Sequence, residues 1–174
     1  MTSILTTTEL DAATLVILRD LLDRAFEGRL TDDDWDHALG GTHVLRYEGE
    51  RLVAHASVVP RTLWVGDRRF AAGYVEAVAV APGARRRGLG TEVMRALEPT
   101  LSTFELCALS SSKHRFYERL DWERWQGPTW VQTDRGRLRT PDEDDGILVW
   151  RTARTGPIDR TASLTCEERA GDDW

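Results

Sequence analysis

The stretch that most constrains this chain runs from Gly73 to Gly90 and reads GYVEAVAVAPGARRRGLG. Tyr74 to Val80 is apolar and Val-rich with a single carboxylate, Glu76, which is the pattern of a buried strand. Pro82 and Gly83 end it. Arg85-Arg86-Arg87-Gly88-Leu89-Gly90 then leads into helix-forming sequence from Thr91 to Leu97. A glycine-rich bend between a strand and a helix N-terminus gathers backbone N–H groups at the positive end of the helix dipole, and that is a phosphate site. Glycine also lets the backbone approach a pyrophosphate closely and adopt positive φ. The arginines add charge, although not all three need touch a ligand. A turn with a solvated basic patch accounts for Gly88 and Gly90 alone, but not for the full strand, bend and helix. No Gly-Lys-Ser/Thr follows, so this is not a P-loop, and the three-glycine dinucleotide spacing is missing.

A chain of 174 residues, 41% hydrophobic and 30% charged, is most simply one domain with a real core. No apolar run is long enough to cross a bilayer, and no signal-peptide pattern opens the chain. Cys107 and Cys166 have no metal spacing, so free thiols and a cytoplasmic location are expected. The formal net charge of −6 argues against general nucleic-acid binding. Its acids cluster at Asp32 to Asp36, at Asp142 to Asp145 and at Glu167 to Asp173; if they converged on a cleft they would attract a polycation.

In chain order, Ser3 to Thr6 reads as a short strand. Asp11 caps an amphipathic helix running to Phe26, and Thr31 with Asp34 forms a capping box for a short helix through Ala38. Thr42 to Tyr47 and Arg51 to Val59 form a hairpin, with Pro60 complicating the second strand. Leu63 to Val65, the Gly66-Asp67 turn and Arg69 to Val80 complete an antiparallel meander. Pro99 is expected to close the helix that follows the glycine-rich bend. Phe104 to Leu109 is a short strand parallel to the Glu76 strand, giving a right-handed βαβ unit. Ser110 to Ser112 would cap a helix from Lys113 to Leu120. Ile147 to Trp150 reads as the last good strand, and residues 155 to 174 show little periodicity.

The strand followed by Arg-x-x-Gly-x-Gly and a helix resembles the acyl-CoA pyrophosphate loop of the GNAT N-acetyltransferase superfamily. Phe116-Tyr117-Glu118-Arg119-Leu120-Asp121-Trp122 is similar to a second GNAT segment, with Asp121 where a glycine is usual. Further segments narrow the likeness: DWDHALGG from Asp34, GYVE from Gly73, ALSSS from Ala108, GPT from Gly127, RTPD from Arg139 and the ending RAGDDW. Together they resemble the aminoglycoside 2'-N-acetyltransferases over nearly the whole chain. The resemblance implies a single α/β domain with the GNAT fold: a mixed, mostly antiparallel central sheet flanked by helices, with a V-shaped splay between two parallel strands. It implies acetyl-CoA as cosubstrate with no metal, a small-molecule aminoglycoside as acceptor, a homodimer, and a tail over residues 155–174 that folds back toward the substrate cleft.

It also implies roles for individual residues. Arg85, Arg86, Arg87, Gly88, Leu89 and Gly90 would form the segment that holds the pyrophosphate. Val78, Ala79 and Val80 would present main chain to pantetheine, with the Val78 N–H polarising the thioester carbonyl. Glu76 would take the amine proton through water or position the amine; its plainer role is a structural ion pair. Tyr117 would protonate the departing thiolate, or only pack. Ser110 matches a serine near the reaction centre, and its plainer role is a helix cap. Asp34, either Glu143 or Asp144, and Asp172 match positions that hold amines. Trp174 would bring an aromatic face and a terminal carboxylate, a second candidate for the base. Cys107 reads as core rather than nucleophile, and the four histidines are assigned no role.

One departure stands out. Where the family usually has an acid in a Gly-Asp-Phe context, this chain has Gly28-Arg29-Leu30. Arginine repels ammonium and binds carboxylates bidentately. This suggests either drift in an exposed loop or an acceptor with fewer amines or a carboxylate, such as kasugamycin. A GNAT acting on another amine, such as a polyamine, peptide or cell-wall sugar, and a silent acyl-CoA sensor are the rival readings.

Overall fold

The computed structural model describes residues 1–174 and divides into two units. The first comprises residues 1–59 and 75–100, the second residues 60–74 and 101–174. Two long strands, β3 (Arg51–Val65) and β4 (Arg68–Val80), contribute residues to both.

In the first unit the strand order is β1 (Thr2–Thr6), β2 (Thr42–Glu48), β3, β4. β1 and β2 are antiparallel, as are β2 and β3. Helix α1 (Ala12–Ala25) starts on Asp11, whose carboxylate accepts the Thr14 N–H at 2.7 Å, as the sequence leads one to expect. It buries Leu18, Leu21 and Leu22. Helix α2 (Asp32–Ala38) opens with the expected capping box between Thr31 and Asp34. Gly41 packs so closely on β3 that a Cβ would lie 1.9 Å from the Val58 carbonyl oxygen. Helix α3 (Leu89–Leu101) buries Leu89, Val93 and Leu97 on one face, together with Met94 and Leu101. Here the sequence reading needs correcting, because Pro99 lies inside the helix rather than closing it. In the last turn a proline forfeits one intrahelical bond, and two further residues still complete the helix.

In the second unit the order is β6 (Glu123–Arg124), β9 (Ile147–Arg151), β5 (Leu106–Ser110), β4, β3, β10 (Leu164–Glu167), β7 (Thr129–Thr133), β8 (Gly136–Arg139). β4 and β5 are parallel, in register at Ala72–Leu106, Gly73–Cys107 and Tyr74–Ala108. Most other pairings are antiparallel, so the sheet is mixed and mostly antiparallel, as expected. The short helix α4 spans His114–Glu118.

Three expectations change in this unit. Pro60 does not interrupt β3: it falls between Val58, the last residue paired with β2, and Leu63, the first paired with β10. A proline is tolerated where a strand changes partners, because no ladder bond requires its N–H. Secondly, Ile147 to Trp150 is not the last strand. Residues 164–167 form β10, antiparallel to β3 and parallel to β7. Finally, the serine run does not cap α4 directly. Lys113 occupies the cap, and the Ser111 hydroxyl accepts the Lys113 N–H at 3.0 Å. Asp121 does take the left-handed conformation that glycine usually fills, with φ of 66°.

Candidate active site

The glycine-rich bend lies wholly in the first unit. Arg86 and Gly88 both have positive φ, 65° and 81°, which turns successive backbone N–H groups to one side. Helix α3 begins at Leu89, and the Glu92 N–H is bonded to the Gly88 carbonyl. The N–H groups of Leu89, Gly90 and Thr91 precede the first full turn and have no intrahelical acceptor. A Cβ on Gly88 would meet open space. The three arginines differ. Arg85 donates to the Ala25 carbonyl at 2.7 Å, and Arg87 grips Glu48 at 2.7 and 3.1 Å. Arg86 is exposed. Two arginines therefore fasten the bend to the scaffold and one is left for an anion. Donors, dipole and free guanidinium suit a pyrophosphate.

Upstream, Glu76 and Val78 are half-buried and Ala79 is buried. Between them Ala77 has φ of 49°, a conformation rare for a residue with a Cβ. Glu76 is thus not sealed in a core, as its apolar neighbours suggest. The Ser57 hydroxyl donates to the Glu76 carbonyl at 3.2 Å and His55 Nδ1 lies 2.9 Å from the Ala77 carbonyl oxygen. Asp34 uses one carboxylate oxygen on the Thr31 N–H at 2.8 Å. Arg29 is exposed, donates to the Phe26 carbonyl of its own loop at 3.2 Å and has Glu27 at 3.9 Å.

The second unit brings together Ser110, Glu143, Asp172 and Trp174. The Ser110 hydroxyl donates to Glu143 Oε2 at 3.3 Å. Burial holds the Glu143 carboxyl above the usual range, and the charges of Asp172 and Asp142 add to this. Asp144 behaves oppositely. It takes a bidentate pair from Arg139, plus the Thr129 N–H at 2.9 Å and the Thr129 hydroxyl at 3.0 Å. These partners, Arg139 foremost, hold it below the usual carboxylate range.

Trp174 is buried, with its indole N–H on the Thr140 hydroxyl at 3.1 Å and its backbone N–H on Asp172 Oδ1 at 3.1 Å. The buried Arg61 secures this segment by donating to the Asp173 carbonyl at 2.6 Å and the Glu167 carbonyl at 2.6 Å. Tyr117 is buried edge-on between Phe116 and Trp122, and burial pushes its phenol up to about 12. Cys107 is fully buried, with its thiol also raised by burial to about 12, so it has the character of a core residue.

Sequence reasoning passed over Arg61, Thr140, His43 and His55. The histidines carried no usable signal: counted back from the turn at Gly49 they fall on opposite faces, and it is the register shift between Arg46 and Tyr47 that brings them to one face. Arg61 gave none, because its carbonyl partners lie more than a hundred residues away.

An acetyltransferase (GNAT) domain model matches residues 7–125. An aminoglycoside 2'-N-acetyltransferase of Mycolicibacterium fortuitum is 42% identical over 173 residues, 97% of this chain and 89% of that protein. The chain belongs to the aminoglycoside 2'-N-acetyltransferase family of GNAT acetyltransferases. It is an acetyl-CoA-dependent N-acetyltransferase. Solved GNAT structures share the family's fold at much lower identity. The N-acetyltransferase YhbS of Escherichia coli, solved with CoA, aligns over 98% of this chain and 93% of its own, with a TM-score of 0.69 and 14% identity. A GNAT acetyltransferase from Brucella melitensis, solved with acetyl-CoA, aligns over 94% of each chain, with a TM-score of 0.62 and 13% identity.

Proposed function

We propose that this enzyme acetylates the 2'-amine of an aminoglycoside by direct transfer from acetyl-CoA. The observation that carries the reading is the pair Glu143 and Asp172, whose charges work against each other, with the Ser110 hydroxyl as the one influence that favours ionised Glu143. Such a pair is relieved by a cation, and a polyamine sugar supplies several. The M. fortuitum relative, whose name states the same acceptor class, supports the choice. Of the two acids the sequence left open, Glu143 is the amine-holding one, because Asp144 is fully engaged by Arg139 and Thr129.

Acetyl-CoA would seat its pyrophosphate on Arg86 and the N–H groups of Gly88 to Gly90. Val78 and Val80 would offer main chain to pantetheine, with the Val78 N–H on the thioester oxygen. The neutral amine attacks the carbonyl carbon, and the proton its nitrogen sheds as the amide forms passes to Glu76, directly or through water, or to solvent where Glu76 only orients the amine. The tetrahedral intermediate expels the CoA thiolate. Tyr117 is protonated at neutral pH and can donate to it. Transfer from a phenol near 12 to a thiol near ~8.5 is uphill, so this contribution is small. Holding both substrates together supplies much of the acceleration.

The deciding assay follows CoA release with gentamicin, tobramycin, neomycin, kasugamycin and spermidine in parallel. Turnover of aminoglycosides with a product acetylated at the 2'-amine is expected. Turnover of spermidine alone would overturn the reading. Kasugamycin tests Arg29: preference for it over the other drugs, lost in Arg29→Asp, would place a carboxylate-bearing acceptor beside that guanidinium.

A further inference from the structure

The first unit contains a buried polar chain that nothing in the chemistry above uses. Its members are Thr7, His43 and His55, and both imidazoles are completely buried. Thr7 Oγ1 lies 2.7 Å from His43 Nε2, His43 Nδ1 lies 3.0 Å from His55 Nε2, and His55 Nδ1 lies 2.9 Å from the Ala77 carbonyl oxygen.

The carbonyl at the end fixes the proton on each imidazole, and of the two acceptors within reach of the Thr7 hydroxyl, His43 Nε2 at 2.7 Å is nearer than the Gly41 carbonyl at 3.3 Å. A carbonyl oxygen only accepts, so His55 carries its hydrogen on Nδ1 and leaves Nε2 bare. His43 must then donate from Nδ1, which leaves its own Nε2 to accept from the Thr7 hydroxyl. The Thr7 oxygen in turn accepts the Gly40 N–H at 2.9 Å and the Gly41 N–H at 3.2 Å. All donors point one way, toward Ala77. Burial pushes the imidazoles down to about 4 for His43 and about 3 for His55, so both are neutral at physiological pH.

Ala77 is the strained residue of β4, at φ 49°. A left-handed conformation at a residue with a Cβ is unfavourable and persists only where its surroundings hold it. The Ala77 carbonyl and the Val78 N–H belong to one planar peptide unit and point in opposite directions. A hydrogen bond into the carbonyl therefore sets the direction of the N–H, and it polarises the peptide so that the N–H is a stronger donor.

We propose that Thr7, His43 and His55 form a positioning relay that aims and strengthens the Val78 N–H as the donor to the thioester oxygen. The inference rests on the reading of Val78 given above, and it makes His55 a positioning residue rather than a catalytic one. It predicts that one ring nitrogen matters. In His55→Asn the side-chain amide sits where Nδ1 was and can still donate to Ala77. In His55→Gln the amide sits where Nε2 was and cannot. His55→Phe removes the donor outright.

The test measures kcat for acetyl transfer to tobramycin, the Kd of acetyl-CoA, and the Val78 amide resonance in valine-labelled protein. His55→Asn is expected within about threefold of the wild-type kcat, with His55→Gln and His55→Phe at least tenfold lower, unchanged Kd, and the Val78 amide proton moved upfield. If His55→Phe does not fold, the Asn and Gln pair decides by itself. Equal kcat in the folded Asn and Gln variants, whether high or low, would overturn the relay. The underlying reading fails separately: a Val78 amide in the wild type that resonates identically with CoA and with acetyl-CoA never met the thioester, and the relay falls with it. The resonance needs no acceptor, so a wild type inert toward tobramycin would still be tested by the labelled variants.

Discussion

Glu143 and Asp144 are adjacent in sequence and opposite in circumstance. Asp144 is tied to Arg139 and Thr129, whereas Glu143 is half-desolvated beside Asp172. Acceptor binding should therefore depend on Glu143 in a particular direction. Its pKa is raised, so as pH falls toward that raised value it protonates before an ordinary glutamate would and the amine loses its counter-charge. KM for the acceptor is expected to rise on the acid side, and Glu143→Gln should show a raised KM without that acid limb; a pH profile of KM in both proteins checks it. Asp144→Asn should instead loosen the loop and lower Tm with the acid limb of KM retained. For Glu76→Gln a fold-neutral loss of kcat of at least tenfold is expected, measurable by thiol release beside a thermal melt. Tyr117→Phe should cost less than about tenfold, because the phenol is a reluctant donor to a thiolate that leaves readily without it. Arg86→Ala should weaken acetyl-CoA binding in calorimetry, whereas Arg87→Ala, which breaks a scaffold pair with Glu48, should act mainly on stability.

At the level of the elements, β10 depends on a glycine far from it in sequence. Gly127 packs against the chain just before β10, where a Cβ would lie 1.9 Å from the Ala162 carbonyl oxygen. Trp125 Nε1 donates to that same oxygen at 3.1 Å, and the Leu164 N–H reaches the Pro128 carbonyl at 2.9 Å. Gly127→Ala should lower stability by about 1–3 kcal/mol through overpacking, read as a drop in Tm. Deleting residues 172–174 should spare acetyl-CoA affinity and remove acceptor turnover. These dependencies explain which elements the sequence disclosed. Helices α1 and α2 carried their own caps at Asp11 and Thr31, and the meander carried turn residues at Gly49 and Gly66, so local chemistry announced them. β10 has four residues and no turn signal of its own; it is a strand because β3 and β7 flank it. Likewise, Arg85 and Arg87 look identical to Arg86 in a string of letters, and only Ala25 and Glu48, distant in sequence, set them apart. The difference between Glu143 and Asp144 has the same origin, since Arg139 and Thr129 reach Asp144 through space.

Across the molecule, the two buried imidazoles give stability a marked dependence on acid. Their folded values near 4 and 3 lie below the unfolded value near 6.5. Between pH 6.5 and 4 the unfolded chain binds protons that the folded one refuses. Stability is therefore complete above about pH 6.5 and declines as pH falls, at up to about 1.4 kcal/mol per pH unit for each imidazole. Urea melts at pH 7 and pH 5 should differ by more in the wild type than in His43→Asn, where one of those imidazoles is gone.

Both thiols, Cys107 and Cys166, lie fully buried, and burial pushes each up to about 12. A chromogenic disulfide reagent will therefore find no nucleophilic sulfur on the native enzyme, and every mole of colour during turnover reports liberated coenzyme. The same reagent becomes an unfolding probe: two equivalents per chain should appear only when the structure opens, which lets one reaction vessel record both catalysis and collapse.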